Sequence, residues 1–252
     1  MSKILDNESL ATDKTSERLA KRIARAGLCS RREAEKLIEE GKVKVNGNKI
    51  VTPAFNVTDD DKVVVGGKPL REKETARLWL YHKPVGLVTS HKDEKGRGTV
   101  FEALPKEMPR VISVGRLDMN SEGLLLLTND GGLARKLELP STGWIRRYRV
   151  RVYGKITDRM ISEMKRGVTV DGIHYGSVEA VVDSSKGGNS WLTVSLKEGK
   201  NREVRKIFEH FGCNVNRLLR LSYGSFQLGS LKKGEVKEVT QKVMKSFLGK
   251  YL

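Results

Sequence analysis

Three side chains in this sequence combine a reactive type with a suggestive setting: an aspartate in a charged turn, a tyrosine on an arginine-rich strand, and an arginine on a basic helix. Asp118 lies in GRLDMNSEGLLLLTNDGG, 115–132, between an arginine-bearing turn and four consecutive leucines. A carboxylate there has two readings. Asp, Asn and Ser after a strand form Asx turns and helix caps, and DMNSEG contains all three. Alternatively the carboxylate reacts, which requires a cation to keep it ionised in a dry site and a platform for a base.

Both kinds of partner occur further along. IRRYRVRVYG, 145–154, alternates apolar or aromatic residues with basic ones, so a strand presents Tyr148 on one face and arginines on the other. The segment KEGKNREVRKIFEHFG reads as a strand, a turn and an amphipathic helix. Arg202, Arg205 and Lys206 fall on the first turns of that helix, with Ile207, Phe208 and Phe211 on its buried side. Arg205 is placed to project toward the sheet and pair with a carboxylate. Spacing alone leaves open a solvated helix end with ordinary core aromatics.

Other chemistries lack their signatures. No GxGxxG opens a helix after a strand, and neither GxxxxGK[ST] nor GxSxG occurs. SSKGGNS and NDGG read as hairpin loops. Cys29 and Cys213 lie far apart without CxxC spacing, and the histidines at 82, 91, 174 and 210 form no zinc pattern. The expectation is a cytoplasmic protein with no metal, no cofactor and no structural disulfide. The N-terminal MSKILDNESLATDKTSE has no apolar signal core, and no stretch approaches membrane-spanning length.

The elements that must hold these residues follow from patterning. The 252-residue chain carries 48 Lys+Arg against 31 Asp+Glu, a formal charge of +17, which predicts attraction to a polyanion such as nucleic acid. Residues 1–14 are polar and aperiodic, and read as a disordered tail. In 15–66, Leu19, Ile23 and Ala26 recur at helical spacing before Gly27, and Ser30 with Glu33 forms a capping box for a second helix ending at Gly41. Asn46-Gly47 marks a hairpin. Arg18, Arg22 and Arg25 share one face of the first helix, and Arg31 and Arg32 open the next, a pattern expected of a phosphate-reading surface. The polar 67–76 stretch reads as a linker. In 77–252 strand-like runs mix with short helical ones without regular alternation, which predicts an α+β domain on a largely antiparallel sheet.

The 15–66 region, through RLAKRIARAGLCSRREAEKLIEEGKVKVNG, resembles the small RNA-binding domain of ribosomal protein S-four and several RNA-modifying enzymes. The blocks YHKPVGLVTS, GRLDMNSEGLLLLTNDG, RRYRV and EGKNREVRKIFEHFG…RLLRLSYG, in that order, resemble the RsuA/RluB-type ribosomal RNA pseudouridine synthases. The resemblance implies cofactor-free isomerisation of a flipped-out uridine in rRNA, with the large subunit favoured over the small. It assigns Asp118 as the essential aspartate, Tyr148 as the residue stacking on the target base, Arg205 as the partner of the aspartate, and Leu219 as a buried aliphatic residue beside the pocket. RNA contacts are expected from Arg18, Arg22, Arg25, Arg31, Arg32, Lys83, Arg116 and Arg202. Arg116 is the candidate to fill the gap left by the flipped nucleotide. The expected state is a monomer acting on free rRNA or on an assembling subunit, and the rival reading is a non-catalytic RNA-binding assembly factor.

Overall fold

Ser30 begins the best-defined local motif: its hydroxyl accepts from Glu33 N, and the Glu33 carboxylate accepts from Ser30 N at 2.8 Å. This reciprocal cap starts the helix Arg31–Glu39, and Gly41, at φ +66°, turns the chain out of it. The computed structural model describes residues 16–72, 74–249 and 251, so the tail expected over 1–14 lies outside the described residues. The chain divides into two compact units, the second spanning Ala76–Leu252.

In the first unit the helix Leu19–Arg25 ends before Gly27, at φ +78°. Its buried Leu19 and Ile23 meet Ala34 and Ile38 of the next helix and the valines of a four-stranded sheet. Asn46 and Gly47 both adopt positive φ, which joins Val43–Val45 to Asn48–Ile50 by a hairpin turn matched to strand twist. Gly66-Gly67 makes a second hairpin, and Lys68–Pro69 pairs with Val64 and Val65. The stretch read as a linker from residue 67 therefore begins as a strand.

The second unit is built on a nine-stranded, largely antiparallel sheet. Its main path runs Val178–Lys186, Asn189–Leu196, Arg146–Tyr153, Asn214–Tyr223, Glu122–Thr128, Leu78–Lys83 and Val236–Glu238. One pairing is parallel: Leu219 and Arg220 lie opposite Glu122 and Gly123. The leucine run occupies a central strand buried at every position. Leu125 and Leu127 pack on one side with Met160 and Met164 of helix Asp158–Arg166 and Ile207 and Phe208 of helix Glu203–His210. Leu124 and Leu126 pack on the other with Leu133 and Leu137 of helix Gly131–Glu138 and Met244 and Leu248 of helix Gln241–Leu248. Each buried leucine contributes about 1.5–3 kcal/mol, so this strand is the rigid spine of the unit.

Two local readings change or sharpen. NDGG is a helix start, not a hairpin loop: Asp130 caps the helix by accepting from Leu133 N at 2.9 Å, with Gly131 and Gly132 as its first residues. An aspartate cap and a turn aspartate share one local signature, and only the downstream ARKLE stretch separates them. SSKGGNS is a hairpin, with Gly187-Gly188 between its two strands.

Candidate active site

Asp118 sits on the turn that feeds the leucine strand, and three features fix that turn from behind. Ser121 N donates to Asp118 O at 3.0 Å, closing the turn. Thr89 Oγ1 donates to Leu117 O at 2.8 Å. Lys83, with no solvent exposure, extends its ammonium into the turn and donates to Pro84 O, Asp118 O and Ser121 O at 2.9, 3.1 and 2.9 Å. Burial pulls the Lys83 pKa down to about 8, against the opposing pull of Asp118 and Glu122. The sequence reading places Lys83 among the RNA contacts. It is instead a buried strut, because LWLYHK is an interior strand whose last side chain points into the turn rather than out.

The sheet then brings the other residues to this turn. Tyr148 lies opposite Arg220 on the neighbouring strand, and Arg220 lies opposite Gly123 at the start of the leucine strand. Only glycine fits there: a Cβ on Gly123, at φ +106°, would stand 2.4 Å from Arg220 O. Close approach of the two backbones thus places the Asp118 turn beside the Tyr148–Arg220 row. Burial alternates strictly along Arg146–Tyr153, so Tyr148 faces inward and Arg147, Arg149 and Arg151 face outward. Arg146, however, shares the face of Tyr148. Its guanidinium donates to Trp144 O at 2.9 Å and to Tyr223 Oη at 2.7 Å.

These walls enclose an open cavity of about 770 Å³, lined by Arg116, Asp118, Tyr148, Arg202, Leu218 and Arg220 among others. That size suits a nucleotide-scale ligand. Asp118 keeps a third of its side chain exposed, at 33%, so the carboxylate is presented to the cavity rather than sealed below it. Arg116 is exposed at the cavity wall.

The cation paired with the Asp118 carboxylate is not the one expected. Arg205 is buried, and its Nη1 and Nη2 donate to Val215 O at 2.8 Å and Asn120 O at 2.9 Å. It therefore clamps the backbone two residues after Asp118, and its charge acts on the carboxylate from behind. Burial lowers the Arg205 pKa, with Arg202 adding to the shift and Asp118 opposing it. The ion pair comes from Arg202, whose Nη1 lies 3.9 Å from Asp118 Oδ2. Arg202 holds a left-handed backbone, φ +51° and ψ +30°, immediately before helix Glu203–His210. A non-glycine residue there costs about 1–3 kcal/mol, and such strain concentrates where a side chain must be aimed.

Leu219 is also displaced from its expected place. On the strand Asn214–Tyr223 it is Leu218, 6% exposed, that lines the cavity, while Leu219 is half-buried and packs toward the opposite cluster with Leu124 and Leu126. Strand alternation puts adjacent leucines on opposite faces, and a sequence without a fixed register leaves the phase open.

Among the residues expected to bind RNA in the first unit, Arg18, Arg22 and Arg25 are partly occupied. Arg18 donates to Ala54 O, Arg22 to Thr58 O at 2.8 Å, and Arg25 pairs with Glu17 at 2.5 Å. Arg31 and Arg32 are exposed.

Sequence reasoning missed the buried residues of the cavity wall. Arg146 and Arg220 are at most 5% exposed, and the period-two phase of RRYRV was the signal that placed Arg146 with Tyr148. Glu203 is 4% exposed, lines the cavity, and accepts from Lys200 N at 2.8 Å; burial raises its pKa to about 7. No signal in the sequence distinguished it from an ordinary first-turn glutamate.

A family model described as RNA pseudouridylate synthase matches residues 77–210, and one described as S4 domain matches residues 17–71. An RNA pseudouridine synthase of Rickettsia felis is 52% identical over 228 residues, covering 90% of this chain and 99% of its own. The ribosomal large subunit pseudouridine synthase B of Salmonella typhi is 42% identical over 220 residues, covering 84% of this chain and 75% of that protein. A crystal structure of a pseudouridylate synthase superposes with a TM-score of 0.66 over 92% of this chain and 99% of that one, at 24% identity, and shares the fold. With more than half of its length in the synthase match and full-length relatives near 50% identity, the chain belongs to the RNA pseudouridine synthases, carrying an N-terminal S4 domain.

Proposed function

We propose that the protein converts a specific uridine of large-subunit ribosomal RNA to pseudouridine, with Asp118 as the reacting carboxylate. The observation that carries this reading is the presentation of Asp118 into a cavity walled by Tyr148, Arg202 and Arg220. The reaction breaks the N1–C1′ bond, turns the base, and forms a C5–C1′ bond; the hydrogen leaves C5 and a proton returns to N1. Atoms balance without a second substrate. The target nucleotide has to leave its stack to expose C1′, which costs a few kcal/mol.

Each wall residue then has a task. Asp118 acts at the sugar, at C1′ or C2′, and Arg202 with Arg205 sets positive charge beside it. Tyr148 holds the detached uracil by stacking, worth about 1–3 kcal/mol, so that the base turns without escaping. Arg116 stands at the rim where the vacated stack would need filling. Lys83 belongs to the support of the turn. Arg31 and Arg32 supply exposed charge for phosphates, consistent with the S4 match. The Salmonella relative supports the large-subunit assignment. We further propose that the protein works as a cytoplasmic monomer; among the described residues no helix is long and apolar enough to cross a membrane.

The test is to incubate the protein with unmodified rRNA and map pseudouridine by chemical adduct formation. One new stop in 23S rRNA, absent from 16S, is expected. RNA binding without any new stop would instead favour a non-catalytic assembly factor.

A further inference from the structure

The arginines of RRYRVRVY that do not reach the cavity are unexplained by its chemistry. Arg147, Arg149 and Arg151 project from the outward face of their strand, and the next residue in phase, Tyr153, is 55% exposed. Same-face residues recur about every 6–7 Å along a strand, so the four side chains form one straight stripe. Their cross-strand neighbours add no acidic residue. Arg147 lies between Ser195 and Ser222, Arg149 between Thr193 and Leu219, and Arg151 between Trp191 and Arg217.

Charge on this face is unbalanced. Among the described residues, Arg147, Arg149 and Arg151 make no ion pair within 4 Å. Arg217 is different, since Glu122 pairs with it at 2.5 Å. The acidic groups on the face do not neutralise the stripe: Glu179 lies beyond Ser195, and Asp183 accepts from Thr193 Oγ1 at 3.2 Å. Arg149 rests over the Trp191 ring at 4.9 Å, which pre-orders its guanidinium. At the end of the stripe the Tyr153 ring stands against Gly188, whose Cβ position would be 3.1 Å from it, so the glycine leaves room for the ring beside the hairpin.

We infer that the Arg147–Arg149–Arg151–Tyr153 stripe, on the sheet face opposite the cavity, is a second RNA-binding track that takes a single-stranded segment outside the target nucleotide. Three unpaired guanidiniums at regular intervals match successive phosphodiesters, and the hydroxyl of Ser195, opposite Arg147, offers a further donor to them. The exposed tyrosine supplies a stacking surface for one base. Regular cations ending in an aromatic platform are the combination by which proteins hold single-stranded nucleic acid without reading its sequence. Duplex RNA has its bases stacked inward and would leave Tyr153 unused. The inference does not depend on how Asp118 reacts.

The experiment uses the full chain and an oligouridylate of about 12 nucleotides. Replacing Arg147, Arg149 and Arg151 together with Gln should lower the slope of log affinity against log salt by about 2, since each phosphate contact to a single strand contributes about 0.7. Tyr153→Ala should weaken binding about tenfold with the salt slope unchanged. Turnover on a short target stem-loop serves as the folding control and should stay at the wild-type value in both variants. Should the triple variant fail that control, photocrosslinking of the wild-type chain to a 4-thiouridine oligomer decides, with a crosslink expected at Tyr153. A slope unchanged by the triple substitution, or crosslinks confined to the cavity and the S4 domain, overturns the inference. Loss of polyglutamate binding with RNA binding intact also overturns it, in favour of an acidic protein partner.

Discussion

Replacing Lys83 with Met tests whether the Asp118 turn is held by a buried ammonium. The substitution keeps the length of the side chain and removes its donors. Asp118 O would retain Ser121 N as a partner, but Pro84 O and Ser121 O would lose their Lys83 donor. Each of these two carbonyls left unsatisfied costs about 1–3 kcal/mol, so a loss of about 2–6 kcal/mol is expected at pH 7. The pH dependence carries a second signature. The folded pKa of Lys83, about 8, lies below the unfolded value of about 10.4. Between those values the unfolded chain keeps the proton that the folded chain releases, so the wild type gains stability as pH rises, by about 1.4 kcal/mol per unit. Lys83→Met lacks this gain. Urea denaturation of both proteins from pH 7 to 10 should therefore show a difference that widens with pH, and turnover should fall because the carboxylate is no longer fixed. A Met variant with wild-type stability, or a difference that narrows above pH 8, would refute the strut.

Arg205→Lys cannot span both carbonyls from one ammonium, and a displacement of the Asp118 turn should lower turnover about 100-fold, measured under single-turnover conditions. Glu203 titrates near 7 when folded and near 4.3 when unfolded, so its stability cost grows as pH rises through that window. Glu203→Gln keeps an acceptor for Lys200 N and should be more stable than wild type by up to about 3 kcal/mol at pH 8 and no more stable at pH 4, as read by chemical denaturation. Leu218→Ala should cost about 2–4 kcal/mol and weaken turnover, whereas Leu219→Ala should leave turnover near wild type; equal effects on turnover would contradict the assigned strand phase.

How much of this was legible in the sequence depends on the range of the forces involved. The capped helix at Ser30, the Asn46-Gly47 hairpin and the leucine strand are local patterns, and each appears where its residues predict. Asp118 and Tyr148 line one cavity, brought there by the pairing of their strands through Arg220. What was illegible depends on register. Whether Leu218 or Leu219 faces the cavity is fixed by cross-strand pairing, Leu218 with Val150 and Leu219 with Arg149, which no local pattern encodes. Lys83 looked like a surface cation because lysine usually is one, and only the three carbonyls of the folded turn make its burial tolerable. The exchange of Arg205 for Arg202 beside Asp118 has the same origin: the left-handed residue before the helix swings one arginine forward while helical phase turns the other inward.

The central claim is that the Asp118 carboxylate performs the chemistry while the remainder of the cavity binds and positions the nucleotide. Asp118→Asn keeps the shape and removes the anion, so the most direct measurement is single-turnover pseudouridine formation by this variant on unmodified large-subunit rRNA, alongside its RNA affinity. The account predicts no detectable pseudouridine with affinity within a few-fold of wild type. Pseudouridine formation at a rate close to wild type would contradict it.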